Sequence, residues 1–204
     1  MIPAAISERV IDAIRTGRAV ILPTDTVYGL CADPHRPEPA QRVARLKGRD
    51  EAQPLALLAA DVDTLLECVP ELHGRGATIA RALLPGSYTL VLPNPVHRYR
   101  WLTGARPDTI GVRVPELDGD ARTVVERVGA VLATSANVHG GHDPRRLEDV
   151  PPEIRSAAAA EIDGGELPGT ASTVLDLTGA EPRVLREGAV PAAEALAAVR
   201  AALG

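Results

Sequence analysis

Apolar positions along the chain recur with two periods, and the switches between those periods mark out the elements. Val10, Ile11 and Ile14 share one helical face, with Ser7 placed to cap that helix and Gly17 to stop it. Ala19–Leu22 is a short apolar run closed by Pro23 and reads as a buried strand. Thr24-Asp25-Thr26-Val27-Tyr28-Gly29-Leu30 then reads as an elaborate connection rather than a simple turn. A helix over Pro39–Lys47 sets Val43 and Leu46 on one side. Pro54–Ala60 is a second strand, and Asp61 caps a helix carrying Leu65 and Leu66. Helix Ala77–Leu84 stops at Pro85-Gly86, and Tyr88–Leu92 and Thr109–Val114 follow as strands closed by Pro93 and Pro115.

The second half continues in the same manner. Ala121–Val128 is helical, Ala130–Thr134 is a strand, and Val138–Arg146 is a polar, glycine-containing loop. A helix over Glu153–Ala160 precedes a Gly-Gly-Glu-Leu-Pro-Gly loop, and Thr173–Leu177 and Arg183–Leu185 are strands. Pro191 opens a terminal helix that runs through Leu203. Strands and helices intermix with no linker, repeat or break in composition. The expectation is one α/β domain over residues 1–204, built on a mixed sheet.

Composition narrows the picture. There is no Phe, one Trp and three Tyr, so Val, Leu, Ile and Ala must build the core. No apolar run reaches the length of a membrane span, and the first residues lack the basic and apolar regions of a signal peptide. Cys31 and Cys68 fit neither a metal spacing nor a disulfide framework, and a cytoplasmic protein is the simplest reading. A formal net charge of −5 argues against a general nucleic-acid binder and leaves room for a local basic groove. Of 22 cationic residues only one, Lys47, is a lysine. Drift toward one codon composition would turn any position needing only a positive charge into Arg. A surviving point charge with three rotating donors is therefore a candidate site.

Four stretches at strand or helix ends carry chemistry: Thr24–Gly29, Lys47-Gly48-Arg49, Thr134–Asn137, and Ser172-Thr173 with the later Arg186-Glu187-Gly188. A lysine and an arginine two apart around a glycine suit a polyphosphate, one as a mobile charge and the other as a fork. Ser135 and Asn137 add neutral donors for phosphate oxygens or a base edge. Each stretch alone also reads as structure: a turn, a cap, or solvated cations at a helix end. His139 and His142 read as surface, since no third ligand cluster accompanies them. Neither a phosphate-loop motif nor a dinucleotide fingerprint is present, so a nucleotide site here is of another kind.

Taken in order, Pro-Thr-Asp-Thr-Val-Tyr-Gly-Leu (23–30), Leu-Lys-Gly-Arg (46–49), Leu-Pro-Gly-Ser-Tyr-Thr-Leu-Val (84–91), Arg-Trp-Leu-Thr-Gly (100–104), Ile-Gly-Val-Arg-Val-Pro (110–115), Thr-Ser-Ala-Asn (134–137), Ser-Thr-Val-Leu-Asp (172–176) and Val-Leu-Arg-Glu-Gly (184–188) resemble the YrdC-like family of threonylcarbamoyl-AMP synthases. The resemblance implies a twisted mixed β-sheet flanked by helices, with a large concave groove over one face. It implies a nucleotidyltransferase that joins L-threonine, bicarbonate and ATP, with Mg²⁺, into threonylcarbamoyl-AMP and pyrophosphate. A tRNA-modifying threonylcarbamoyl transferase then carries the group to adenosine 37 of tRNA, with room for a weak contact to tRNA or double-stranded RNA.

Carried over by motif, Thr24, Arg113 and Ser172 hold threonine, and Lys47, Arg49, Thr109, Ser135, Asn137 and Arg186 hold ATP. Lys47 and Arg49 are the catalytic cations, and no protein metal ligands are implied. The chain resembles the short, single-domain form, and either Val138–Arg146 or Asp163–Thr170 is read as a loop that closes the site. Asp50, Leu58 and His139 depart from the residues common at those places, which are Pro, His (in longer members) and Ser. Two other readings stay open. One is a paralogue that makes a carbamoyl-adenylate for another acceptor, and the other is a non-catalytic nucleotide- or RNA-binding module.

Overall fold

The computed structural model describes residues 3–50 and 52–204, so the first two residues of the amino-terminal stretch lie outside it. Helix α1 spans Pro3–Arg15, and Val10, Ile11 and Ile14 are buried on one face, each burial worth about 1.5–3 kcal/mol. Gly17, at φ +73°, ends it with Gly17 N–H on the Ile14 carbonyl and Arg18 N–H on that of Ala13. The expected cap at Ser7 is corrected. The helix starts earlier, at Pro3, and Ser7 Oγ inside it donates to Asp120 Oδ1 at 2.7 Å.

Strand β1 (Val20–Pro23) turns back as β2 (Tyr28–Ala32), which replaces the expected irregular connection. Gly29 and the full burial of both faces hid the alternation there. The next elements are α2 (Pro37–Leu46), β3 (Ala56–Ala59), α3 (Val62–Cys68) and α4 (Arg75–Leu83). Asp61 caps α3 as read, accepting from Thr64 N–H at 2.7 Å. Then come β4 (Tyr88–Pro93), β5 (Thr109–Arg113), α5 (Gly119–Val128), β6 (Ala130–Ser135) and a single 3-10 turn at Leu147–Asp149.

Helix α6 is shorter than expected, Pro152–Ala157, because Ala160–Glu161 leaves it to form β7 beside β1. Strands β8 (Thr173–Asp176) and β9 (Arg183–Arg186) and helix α7 (Ala192–Leu203) complete the chain. Pro191 stands at the cap of α7 rather than in its first turn, a one-residue difference of the kind helix ends show.

Among the described residues the strands form one mixed sheet in the order β7-β1-β2-β6-β3-β5-β4-β8-β9, parallel at β7/β1, β3/β5 and β4/β8 and antiparallel elsewhere. One face is covered throughout. Val43, Leu65, Ile79, Ile154 and Val199 from α2, α3, α4, α6 and α7 pack on Leu30, Leu57, Leu90, Ile110, Leu132 and Leu175. The other face is covered only at one end, where α1 and α5 bring Ile11, Ile14, Val124 and Val125 onto Val20, Leu22, Cys31, Leu58 and Val131. Helix pair α1/α5 thus stops short of β4, β5 and β8, and the site lies on that uncovered face.

Candidate active site

Strand geometry selects the floor of this groove. On β5 the alternation sends Ile110 and Val112 to the core and leaves Thr109, Gly111 and Arg113 facing the open side. The same rule puts Thr89 and Val91 of β4, Ala56 of β3, Gly29 of β2, Ala133 and Ser135 of β6 and Val174 of β8 on the groove side. Most of these side chains are small, so the twisted sheet forms a concave floor. The cavity measures about 590 Å³, within the range of small-molecule sites.

Cations and hydroxyls stand around that floor. Arg49, just past α2, donates from Nη1 to Thr134 Oγ1 (3.3 Å) and from Nη2 to the Pro54 carbonyl (2.9 Å). Its Nε is buried with no hydrogen-bond partner among the described residues. Arg186 donates from Nη2 to the Ser172 carbonyl at 2.8 Å, and Ser172 Oγ lies 2.7 Å from Thr89 Oγ1. Thr109 Oγ1 donates to the Arg106 carbonyl at 3.1 Å. Thr24 closes its own turn. Its hydroxyl donates to the Val27 carbonyl (2.7 Å) and accepts from the N–H groups of Thr26 and Val27, both at 3.3 Å.

Arg113 is the most enclosed of the groove cations, its side chain only 11% exposed. Nη2 donates to Asp25 Oδ1 at 2.8 Å and to Thr26 Oγ1 at 3.3 Å, while Nε has no partner among the described residues. Burial lowers the pKa of this guanidinium, and Asp25 pulls it back up.

Lys47 and Asn137 sit differently. Lys47 is 4% exposed and does not line the cavity. Its ammonium donates to the Ser135 carbonyl (2.5 Å), the Asn137 carbonyl (2.7 Å) and Asn137 Oδ1 (2.6 Å), which uses all three N–H groups. Burial, followed by the nearby Arg49 charge, brings its pKa from the ordinary 10.5 down to about 8, against an upward pull from Asp143. Asn137 is equally committed: Oδ1 also accepts from Ser135 Oγ (2.8 Å), and Nδ2 donates to the Gly141 carbonyl and Asp143 Oδ1. The structure therefore gathers Thr24, Arg49, Thr109, Arg113, Ser135, Ser172 and Arg186 around one cavity. Lys47 and Asn137 stand behind Ser135 as its support.

The departures from the common motif have local accounts. Asp50 Oδ1 accepts from Ala52 N–H at 2.9 Å and its carbonyl from Gln53 N–H at 3.0 Å, so the acid makes the turn itself. His139 N–H donates to the Lys47 carbonyl at 3.0 Å, and its ring Nε2 lies 3.3 Å from Gln53 Nε2. Leu58 is buried beneath α1 and α5, away from the cavity lining. Both glycine-rich loops are fastened down. Leu167 N–H reaches the Arg145 carbonyl (2.8 Å), Gly169 N–H the Thr26 carbonyl (2.9 Å), and Glu166 pairs with Arg145 and Arg146. Neither loop lines the cavity.

Sequence reasoning missed several residues. Asp25 and Thr26 lie inside the Thr24–Gly29 stretch, where the motif alone assigns a role only to Thr24, and Thr89 is a polar position inside an apolar strand. Gln53 and Arg106, which also line the cavity, carried no signal.

A mixed sheet open on one face, with arginines and hydroxyls around a small-residue floor, defines a YrdC-like α/β protein with a groove suited to anionic ligands. The sequence profile Sua5_yciO_yrdC, described as "Telomere recombination", matches residues 12–188, and this chain belongs to that family. It is 34% identical over 182 residues to the threonylcarbamoyl-AMP synthase of Pyrococcus abyssi, an alignment covering 89% of this chain and 53% of the relative. A crystal structure of P. abyssi Sua5 complexed with L-threonine superposes with TM-score 0.84 at 32% identity, covering 96% of this chain and 57% of that one. The solution structure of the MTH1692 protein of Methanobacterium thermoautotrophicum gives TM-score 0.67 at 34% identity, covering 91% of this chain and 88% of that one. Among the described residues no helix is long and apolar enough to cross a membrane.

Proposed function

We propose that this chain is an L-threonylcarbamoyl-AMP synthase acting in tRNA modification. The observation that carries the reading is the convergence of Arg113, Ser172 and Thr24 with Arg49, Thr109, Ser135 and Arg186 around one cavity. A zwitterionic amino acid and a polyphosphate both need such a cationic, hydroxyl-lined space. The P. abyssi Sua5 complex with L-threonine supports the choice of amino acid.

In this reading Arg113 holds the threonine carboxylate, and Ser172 and Thr24 shape the pocket for the rest of the molecule. The amine joins bicarbonate with loss of water to give a carbamate. A carbamate oxygen then attacks the α-phosphorus of ATP, forming a P–O bond, while the bond to pyrophosphate breaks. No covalent enzyme intermediate is required, so the protein positions reactants and offsets developing charge. Arg49 and Arg186 serve the phosphates, Thr109 and Ser135 add donors, and Lys47 acts by holding Ser135 and Asn137 in place. Among the described residues no carboxylate lines the cavity, and no three His, Cys, Asp or Glu gather as a metal site. In this reading magnesium enters with ATP, as the MgATP substrate. The product would pass to a tRNA-modifying threonylcarbamoyl transferase.

Pyrophosphate release tests the reading. The protein is incubated with MgATP, bicarbonate and each amino acid in turn. Release that depends on threonine supports it, and release with no amino-acid dependence contradicts it.

A further inference from the structure

We propose that Asp25 is a positioning residue that sets the orientation of Arg113 for the amino-acid carboxylate, with Ser87 as its anchor. The proposal rests on the reading of Arg113 as the carboxylate clamp. Asp25 is the acid between two threonines in the β1–β2 turn, and its side chain is only 8% exposed. Its two oxygens are divided. Oδ1 accepts from Arg113 Nη2 at 2.8 Å, and Oδ2 accepts from Ser87 Oγ at 2.9 Å on the segment that leads into β4.

A buried ion pair is a weak source of stability, because desolvation of two charges offsets most of their attraction. What such a pair does supply is a fixed geometry. Among the described residues Arg113 is held by one nitrogen. Nη2 is occupied by Asp25 and Thr26, while Nε is enclosed without a partner there. An unspent donor of this kind on a buried, groove-lining guanidinium is costly unless a ligand completes it. A carboxylate oxygen is the acceptor that fits a guanidinium fork. Asp25 cannot itself be the ligand's contact, since its oxygens face Arg113 and Ser87 and it does not line the cavity. Its contribution is to stop the Arg113 fork from rotating. Ser87 fixes Asp25 in turn, so three separate segments of the chain determine the direction of one guanidinium: the β1–β2 turn, the start of β4 and the end of β5.

The test uses Asp25→Asn, Asp25→Ala and Ser87→Ala in the full chain, with titration calorimetry of L-threonine, steady-state kinetics and thermal unfolding. Asparagine keeps an acceptor for Arg113, alanine removes both contacts, and the Ser87 variant loosens only the anchor. We expect threonine affinity to fall by about tenfold or more in Asp25→Ala, with a smaller loss in Asp25→Asn and in Ser87→Ala. KM for threonine rises in the same order, and KM for MgATP stays unchanged. A merely structural role would reduce the folded fraction and kcat while leaving threonine affinity of the folded protein intact. That result, in either Asp25→Ala or, if it fails to fold, Ser87→Ala, overturns the proposal. Wild-type protein that binds no threonine overturns instead the reading of the groove on which the proposal stands.

Discussion

Lys47 has three donors and meets three acceptors, two carbonyls and an amide oxygen, all on the Ser135–Asn137 segment. Replacing it with Met removes this donor from the two carbonyls and leaves Asn137 Oδ1 with Ser135 Oγ alone, which costs about 1–3 kcal/mol in thermal or denaturant unfolding. Activity falls with it, because Ser135 and Asn137 lose their brace. Arginine does not rescue, since a planar fork cannot satisfy acceptors that converge on one point.

The lowered pKa of Lys47 adds a pH dependence. Below about 8 the ammonium is charged and donates to all three oxygens. As pH rises through about 8 it becomes an amine with two donors, so turnover falls along a basic limb centred there. Stability moves the opposite way. Between about 8 and the ordinary 10.5 the unfolded chain binds more protons at this group than the folded chain, so its contribution to stability rises with pH. A pH–rate profile beside pH-dependent unfolding checks both signs. A limb lost in the Lys47→Met variant assigns it to this residue.

At the scale of elements, the groove exists because β5 carries glycine between Thr109 and Arg113. A Cβ at Gly111 would meet only Thr89 Cγ2 at 3.8 Å and the Leu55 carbonyl at 4.0 Å, so the strand itself has room. Gly111→Val suits a strand and raises the floor of the cavity. The expected result is unchanged or slightly higher stability with sharply weaker substrate binding, measured by unfolding and by KM. Most of these elements were legible in the sequence: proline and glycine punctuate the strands, and Asp61 announces its own cap. Strand β2 contains Gly29 and is buried on both faces, so neither alternation nor polarity marked it. Strand β7 is two residues long and sits at the sheet edge, too short for any period to register.

Across the whole molecule, the cation-bearing motifs could be read because their residue types suit an anion, and the structure brings most of them to one cavity. Which side of each motif faces the cavity could not be read. Lys47 was singled out as the groove cation, yet it stands behind Ser135, because its orientation depends on strand β6 and on the loop beyond it. Asp25 was passed over because its partner lies far along the chain at Arg113. A chain of net charge −5 nonetheless lines its cavity with Arg49, Arg106, Arg113 and Arg186, so the acid balance lies elsewhere and the groove stays open to anions. In the proposed reaction this groove joins threonine, bicarbonate and ATP in one adenylate. The most direct measurement supplies isotopically labelled bicarbonate with threonine and MgATP and reads the products by mass spectrometry. The expected product is an adenylate that carries both the threonine and the labelled carbon; an adenylate without the label, or none at all, would overturn the assignment.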